Sequence, residues 1–171
     1  TQSLYAPGST FKMVTLATAL ENNVADENTV FDSPGTMEIG GAAVTNFDSN
    51  NYGRQTLAQA TAWSSNTVFG QLGVQIGASA LVKGADGFGF DSKISFDLPT
   101  AMSLMTDPKE MTTWETAWAA AGQPVGAHSQ IGPYASVLQM ALVGCGIAND
   151  GKVMTPYLVQ NVYNSNGERS Y

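Results

Sequence analysis

Apolar residues recur at helical spacing through Met13, Val14, Leu16, Ala17, Ala19 and Leu20. This stretch is free of Pro and Gly and follows the turn signal Pro7-Gly8, so it predicts a helix whose first turn holds Ser9. Glu21-Asn22-Asn23 is a polar stop, and Val30-Phe31 reads as a short strand after a turn over 25–29. Thr36 to Ile39 and Ala42 to Thr45 flank Gly40-Gly41, a dipeptide that admits the positive φ angles of a two-residue hairpin turn. Asn46 to Gly53 reads as a polar loop. Thr56 is placed to cap a helix through Leu57, Ala58, Ala60, Thr61 and Trp63, which is redirected at Ser64-Ser65-Asn66; a second helix carries Val68, Phe69, Leu72, Val74 and Ile76 to Gly77.

Ala78 to Lys83 predicts a short helix ended by the glycine-rich run Gly84 to Phe90. The G-x-x-G-x-G spacing there fits neither a P-loop nor a dinucleotide fingerprint, so a turn is the better reading. Residues 91–106 read as loop. Asp107-Pro108-Lys109-Glu110 has the form of a helix start, with Asp as cap, Pro first and Glu closing a capping box. Trp114 and Trp118 then share a face, which core packing explains better than ligand stacking, since a spacing of four is what an amphipathic helix needs anyway. Residues 122–133 form a loop, in which His128 is expected to be solvated and without a catalytic role, since nothing nearby orients it. Val137 to Ala148 is almost wholly apolar and predicts a central helix with Cys145 buried as a small hydrophobe. Tyr157 to Tyr163 alternates like a strand before a turn at Asn164 to Gly167.

The chemistry suggested by this pattern lies at the first helix. Residues three apart share a helix face, so the Lys12 amine can reach the Ser9 hydroxyl. A serine is a poor nucleophile until a base takes its proton, and a lysine whose pKa is lowered by burial can be that base; the N–H groups of the first turn face where an oxyanion would form. Taken alone, S-x-x-K is better explained by a capping serine with a solvated lysine, and Ser9 is then expected to be a helix cap.

Composition narrows the alternatives. The chain has 171 residues, 43% hydrophobic and 12% charged, which suits a globular domain. A net charge of −7 with seven scattered basic residues argues against a nucleic-acid partner. One cysteine excludes an internal disulfide, one histidine excludes a His-rich metal site, and neither metal nor cofactor is expected. No apolar run reaches the roughly 18 residues that span a bilayer. The chain starts at Thr1 without a signal-peptide pattern, so a targeting segment is expected elsewhere in a longer protein.

Together the motifs Pro7-Gly8-Ser9-Thr10-Phe11-Lys12, Ser64-Ser65-Asn66-Thr67, and Leu138-Gln139-Met140-Ala141 leading to Ile147-Ala148-Asn149-Asp150-Gly151 and Pro156 resemble the transpeptidase domain of penicillin-binding proteins, in order and across the whole chain. Thr56 to Ala60 and Leu81 to Phe90 resemble it too. The short hairpin-bearing segment between the first two motifs is most similar to class B monofunctional members. The resemblance implies that Ser9 is the acylated nucleophile, that Lys12 activates it, that Ser64 relays a proton to the leaving amine, and that Asn66 holds Lys12 and a substrate amide. It implies peptidoglycan D,D-transpeptidase activity on D-Ala-D-Ala stem peptides and covalent trapping by β-lactam antibiotics. It also implies a place on the extracytoplasmic face of the bacterial membrane, anchored by an N-terminal segment outside this chain, with cell-wall assembly proteins as further partners.

The family's third motif, K-[ST]-G, is absent: none of Lys12, Arg54, Lys83, Lys93, Lys109, Lys152 and Arg169 begins one. Residues 1–171 are therefore expected to be a partial transpeptidase domain, truncated at both ends. The expected fold is mainly α with a small β hairpin, the helix-rich part of the family's α/β fold with its central sheet largely missing. Such a chain is expected to keep serine and lysine in contact while being inactive or weakly active in isolation, and its uncovered apolar helix faces are expected to favour self-association. Two other readings fit the same residues: a β-lactamase or β-lactam-sensor domain of the same superfamily, and a non-catalytic cell-wall scaffold.

Overall fold

The computed structural model describes residues 1–127 and 130–170. Helix α1 (Lys12–Glu21) grows directly out of a 3-10 turn at Gly8–Phe11, so the predicted helix is present with a tighter first turn. Phe11 of the turn and Val14 and Ala19 of the helix are fully buried, and Phe11 meets Phe90 edge to face at 5.5 Å between ring centroids. Strand β1 (Val30–Ser33) pairs antiparallel with β4 (Gly53–Thr56), Val30 opposite Thr56 and Ser33 opposite Gly53. A separate hairpin joins β2 (Thr36–Ile39) to β3 (Ala42–Thr45), and its turn residues Gly40 and Gly41 take φ of 64° and 87° as expected.

Helix α2 (Leu57–Ala62) opens on a capping box between Thr56 and Gln59; α3 (Asn66–Ile76) is capped by Ser65 and ends at Gly77, φ 81°. Helices α4 (Ala78–Gly87), α5 (Thr113–Ala120) and α6 (Val137–Ala148) complete the set. The main core gathers Phe11, Val14, Leu57, Val68, Phe69, Leu72, Leu81, Phe90, Met105 and Val143. A smaller cluster joins Ile39 and Val44 of the hairpin to Ala117 of α5, with Trp114 and Trp118 packed against it. The mainly helical expectation holds: the described residues contain two separate two-stranded antiparallel sheets and no larger one. None of their helices is long and apolar enough to cross a membrane.

Five local expectations are corrected. Strand β4 follows directly on the expected polar loop and takes in its last residue; its only buried side chain is the polar Gln55, so no apolar alternation announces it. Helix α4 runs through Gly84 to Gly87, because Gly84 is a close-packing position against Thr18 of α1. Asp107 caps only a 3-10 turn at Pro108–Glu110; the capping box that starts α5 is Thr112 with Glu115. Helix α6 buries Gln139, Leu142, Val143 and Gly146 but leaves Val137, Ile147 and Cys145 exposed, so the thiol is on the surface and the helix is not central. The stretch from Tyr157 to Tyr163 forms no strand; pairing is confined to its end, where Tyr163 makes an isolated antiparallel bridge with Arg169. The Leu158 and Val159 N–H groups donate instead to the Asp97 carboxylate. The turn after it is present, with Gly167 N–H donating to the Asn164 carbonyl at 3.0 Å.

Candidate active site

Ser9 sits at the surface on the 3-10 turn, and three backbone hydrogen bonds pin the segment that carries it. Gly8 N–H donates to the Gly122 carbonyl at 2.9 Å, and Tyr5 and Ala135 exchange a reciprocal pair, both at 2.9 Å. Gly122, just past the end of α5, has φ 86°, and a Cβ there would overlap the Gly8 carbonyl oxygen. The N-cap of the turn falls on Pro7, so Ser9 is not a capping residue; its hydroxyl lies 3.3 Å from Lys12 Nζ.

Lys12 is only 4% exposed, and its amine is the hub of the site. Nζ lies 2.6 Å from the Ser64 carbonyl, 3.0 Å from Ser64 Oγ and 2.7 Å from Asn66 Oδ1, as well as 3.3 Å from Ser9 Oγ. The Phe69 ring lies under it at 5.4 Å. Burial lowers the Lys12 pKa from its ordinary 10.5 to about 8. At pH 7 roughly one molecule in ten then holds a neutral amine. A neutral amine has two N–H groups and a lone pair. The two shortest contacts, to carbonyl oxygens that can only accept, take the N–H groups and leave the lone pair facing the two hydroxyls.

Ser64 bridges α2 and α3 in the left-handed region, φ 55°, a conformation that costs a non-glycine residue about 1–3 kcal/mol and turns both its carbonyl and its hydroxyl toward Lys12. Asn66 opens α3. Its Nδ2 donates to the Thr45 carbonyl at 2.8 Å, which fixes the carboxamide with Oδ1 toward Lys12. Beneath them lies a buried polar network of Ser33, Asn46, Ser65 and Thr67, including a 2.7 Å contact between the Ser33 and Ser65 hydroxyls.

These groups open onto a cleft of about 1000 Å³ lined by Ser9, Ser64 and Asn66 together with Trp63, Trp114 and Trp118. Trp114 both packs on the hairpin, donating from Nε1 to the Ala43 carbonyl at 3.0 Å, and faces the cleft. Among the described residues no cluster of His, Cys, Asp and Glu could hold a metal ion. The structure thus brings Ser9, Lys12, Ser64 and Asn66 together around one amine. It adds Asn46, Thr45 and Phe69, which no spacing signals because they meet the site only through the tertiary fold. His128 lies outside the described residues. The arrangement supplies an exposed hydroxyl, a buried amine of lowered pKa and a second hydroxyl on the same amine, the parts needed for acyl transfer without histidine.

Comparison with known proteins agrees with this chemistry. A family model described as the penicillin-binding protein transpeptidase domain matches residues 1–170. Stage V sporulation protein D of Bacillus subtilis is 32% identical over 160 residues, covering 92% of this chain and 24% of that protein. Peptidoglycan D,D-transpeptidase PbpA of Mycolicibacterium smegmatis is 35% identical over 162 residues, covering 92% and 31%. The chain therefore spans 24% and 31% of these relatives' length. Among solved structures, the D,D-transpeptidase domain of a peptidoglycan glycosyltransferase from Eggerthella lenta superposes with a TM-score of 0.96 at 62% identity, over 99% of this chain and 43% of that one. The penicillin G acyl-enzyme of penicillin-binding protein A from M. tuberculosis gives 0.87 at 29% identity, over 99% and 38%.

Proposed function

The chain belongs to the penicillin-binding protein transpeptidase family, and on that premise we propose that it carries the nucleophile and proton path of a peptidoglycan D,D-transpeptidase. The observation that supports this most is the Lys12 amine, buried, lowered in pKa and within hydrogen-bonding distance of both Ser9 Oγ and Ser64 Oγ.

Lys12 takes the Ser9 proton as Oγ attacks the carbonyl carbon between the two terminal D-Ala residues of a stem peptide. The first-turn N–H groups face the oxyanion. Collapse breaks the C–N bond, and the proton passes from Lys12 through the Ser64 hydroxyl to the departing D-Ala nitrogen. The amine of a second stem peptide then attacks the Ser9 ester, its proton returns by the same path to Ser9 Oγ, and a cross-link results. A β-lactam enters the first step, but its leaving nitrogen stays tethered, so the ester persists. Asn66, with Oδ1 on Lys12 and one N–H on Thr45, retains a second N–H for a substrate carbonyl.

The activity is proposed for the protein in which residues 1–171 stand as part of a transpeptidase domain, at the extracytoplasmic membrane face where peptidoglycan is cross-linked. The K-[ST]-G motif that this sequence lacks would there bind the substrate carboxylate. The test is labelling with a fluorescent penicillin. The isolated chain is expected to label feebly or not at all, and a polypeptide extended on both sides to label at Ser9 with an adduct lasting hours. Label that survives Ser9→Ala in the extended protein would overturn the assignment, and turnover within seconds would make it a β-lactamase.

A further inference from the structure

We propose that Asn46 is a positioning residue of this site, one that acts on Lys12 through Asn66. The claim rests on the transpeptidase reading of Ser9 and adds a residue to it.

Asn46 is 4% exposed and spends its carboxamide in two directions. Nδ2 donates to the Pro34 and Asn50 carbonyls at 3.0 and 2.9 Å, which ties its own loop together. Stapling the loop needs nothing more. Oδ1 instead crosses to the other motif, accepting from Thr67 N–H at 3.0 Å and from Ser65 Oγ at 3.2 Å, the residues on either side of Asn66. The preceding residue completes the grip, since the Thr45 carbonyl accepts from Asn66 Nδ2 at 2.8 Å. Two consecutive residues therefore hold Asn66 by the Thr67 backbone and Ser65 hydroxyl that flank it and by its own side chain.

The consequence is directional. A carboxamide has an acceptor end and a donor end of the same shape. Turned over, Asn66 would aim N–H groups at the Lys12 amine and remove one of the two shortest acceptors that fix the lone pair toward the hydroxyls. The Thr45 carbonyl forbids that rotamer only while it stays in register with α3, and Asn46 Oδ1 sets that register. Asn46 touches neither the Ser9 hydroxyl nor the Lys12 amine in this arrangement. Asn46 also lines the cleft and bonds Ser65, the neighbour of Ser64, so a route through Asn66 is told from a direct or Ser64-borne one by whether the effect survives removal of the Asn66 side chain.

A double-mutant cycle tests this in the complete protein, with the acylation rate constant at saturating penicillin and the half-saturating concentration measured separately. Asn46→Ala is expected to slow acylation about tenfold, a coupling of the size found for residues in one network, with the half-saturating concentration little changed. In the Asn66→Ala background the same change is expected to add nothing. Losses that multiply would make Asn46 a mere stabiliser of the loop and overturn the proposal. Should Asn46→Ala not fold, Thr67→Val removes one hydroxyl of the network at constant shape, and its smaller loss must likewise vanish in the Asn66→Ala background. Hydrogen exchange of the Asn66 side-chain N–H, compared between the unaltered protein and Asn46→Ala, provides a readout independent of catalysis: protection that is lost in the variant supports the grip, and protection unchanged by the substitution refutes it. An unaltered protein that penicillin never labels would sink the transpeptidase reading, while this exchange measurement would still decide the role of Asn46.

Discussion

Lys12 determines how this site responds to pH. Its pKa of about 8 in the folded chain, against 10.5 for an ordinary lysine, means that the folded state gives up the proton first as pH rises. Between those values the unfolded chain binds more protons, so Lys12 makes stability rise with pH from about 8 toward 10.5, and its burial penalty is fully present below 8. Acylation by the neutral amine should increase through the same lower limit. Lys12→Met is expected to abolish both trends, flattening that part of the stability profile and slowing acylation about 10²–10⁴-fold. Denaturant titrations across the range, with labelling rates beside them, check this; a wild-type rate independent of pH between 6 and 9, roughly two units below and one above the pKa, would count against Lys12 as the base. The Ser9–Lys12 pair was legible because three-residue spacing is a local property of a helix. Ser64 and Asn66 were legible only through resemblance, and Asn46 not at all. One asparagine in the polar run from Asn46 to Asn51 looks like another until the fold buries it.

At the scale of elements, the position of Ser9 depends on a helix with which it shares no sequence proximity. The Gly122 carbonyl holds Gly8 N–H, and the backbone there leaves no room for a side chain. Thr15 of α1 ties the same end of α5 by donating to the Ala120 carbonyl at 2.8 Å. Gly122→Ala is expected to destabilise the chain by about 1–3 kcal/mol through overpacking and strain at positive φ, and to slow acylation by displacing Ser9. Thermal melts and labelling of the variant check it, and unchanged labelling would show that the turn is held from elsewhere. Element types were readable where period and caps agree, as in α1, α3 and the hairpin. They failed where one signal stood alone: Asp107 had cap chemistry without a following apolar face, Tyr157 to Tyr163 had alternation without a partner strand, and an all-apolar α6 gave no clue to which side faces water.

For the molecule as a whole, the balance of covered and uncovered apolar surface matters most. Val137 and Ile147 of α6 are 71% and 47% exposed, and Met154, Tyr157 and Leu158 beyond it between 59% and 68%. Exposed apolar residues in such number promote association. The isolated chain is expected to form reversible oligomers, seen as a sedimentation mass that climbs with concentration above 17.9 kDa; a constant monomer mass would show that these residues are tolerated singly. The cleft gives the molecule a different property. The sequence has three tryptophans, and Trp63, Trp114 and Trp118 all line the space beside Ser9. The chain's intrinsic emission is therefore a reporter of that one place: a molecule entering the cleft shifts or quenches the whole signal, with no dye attached and no background from tryptophans elsewhere.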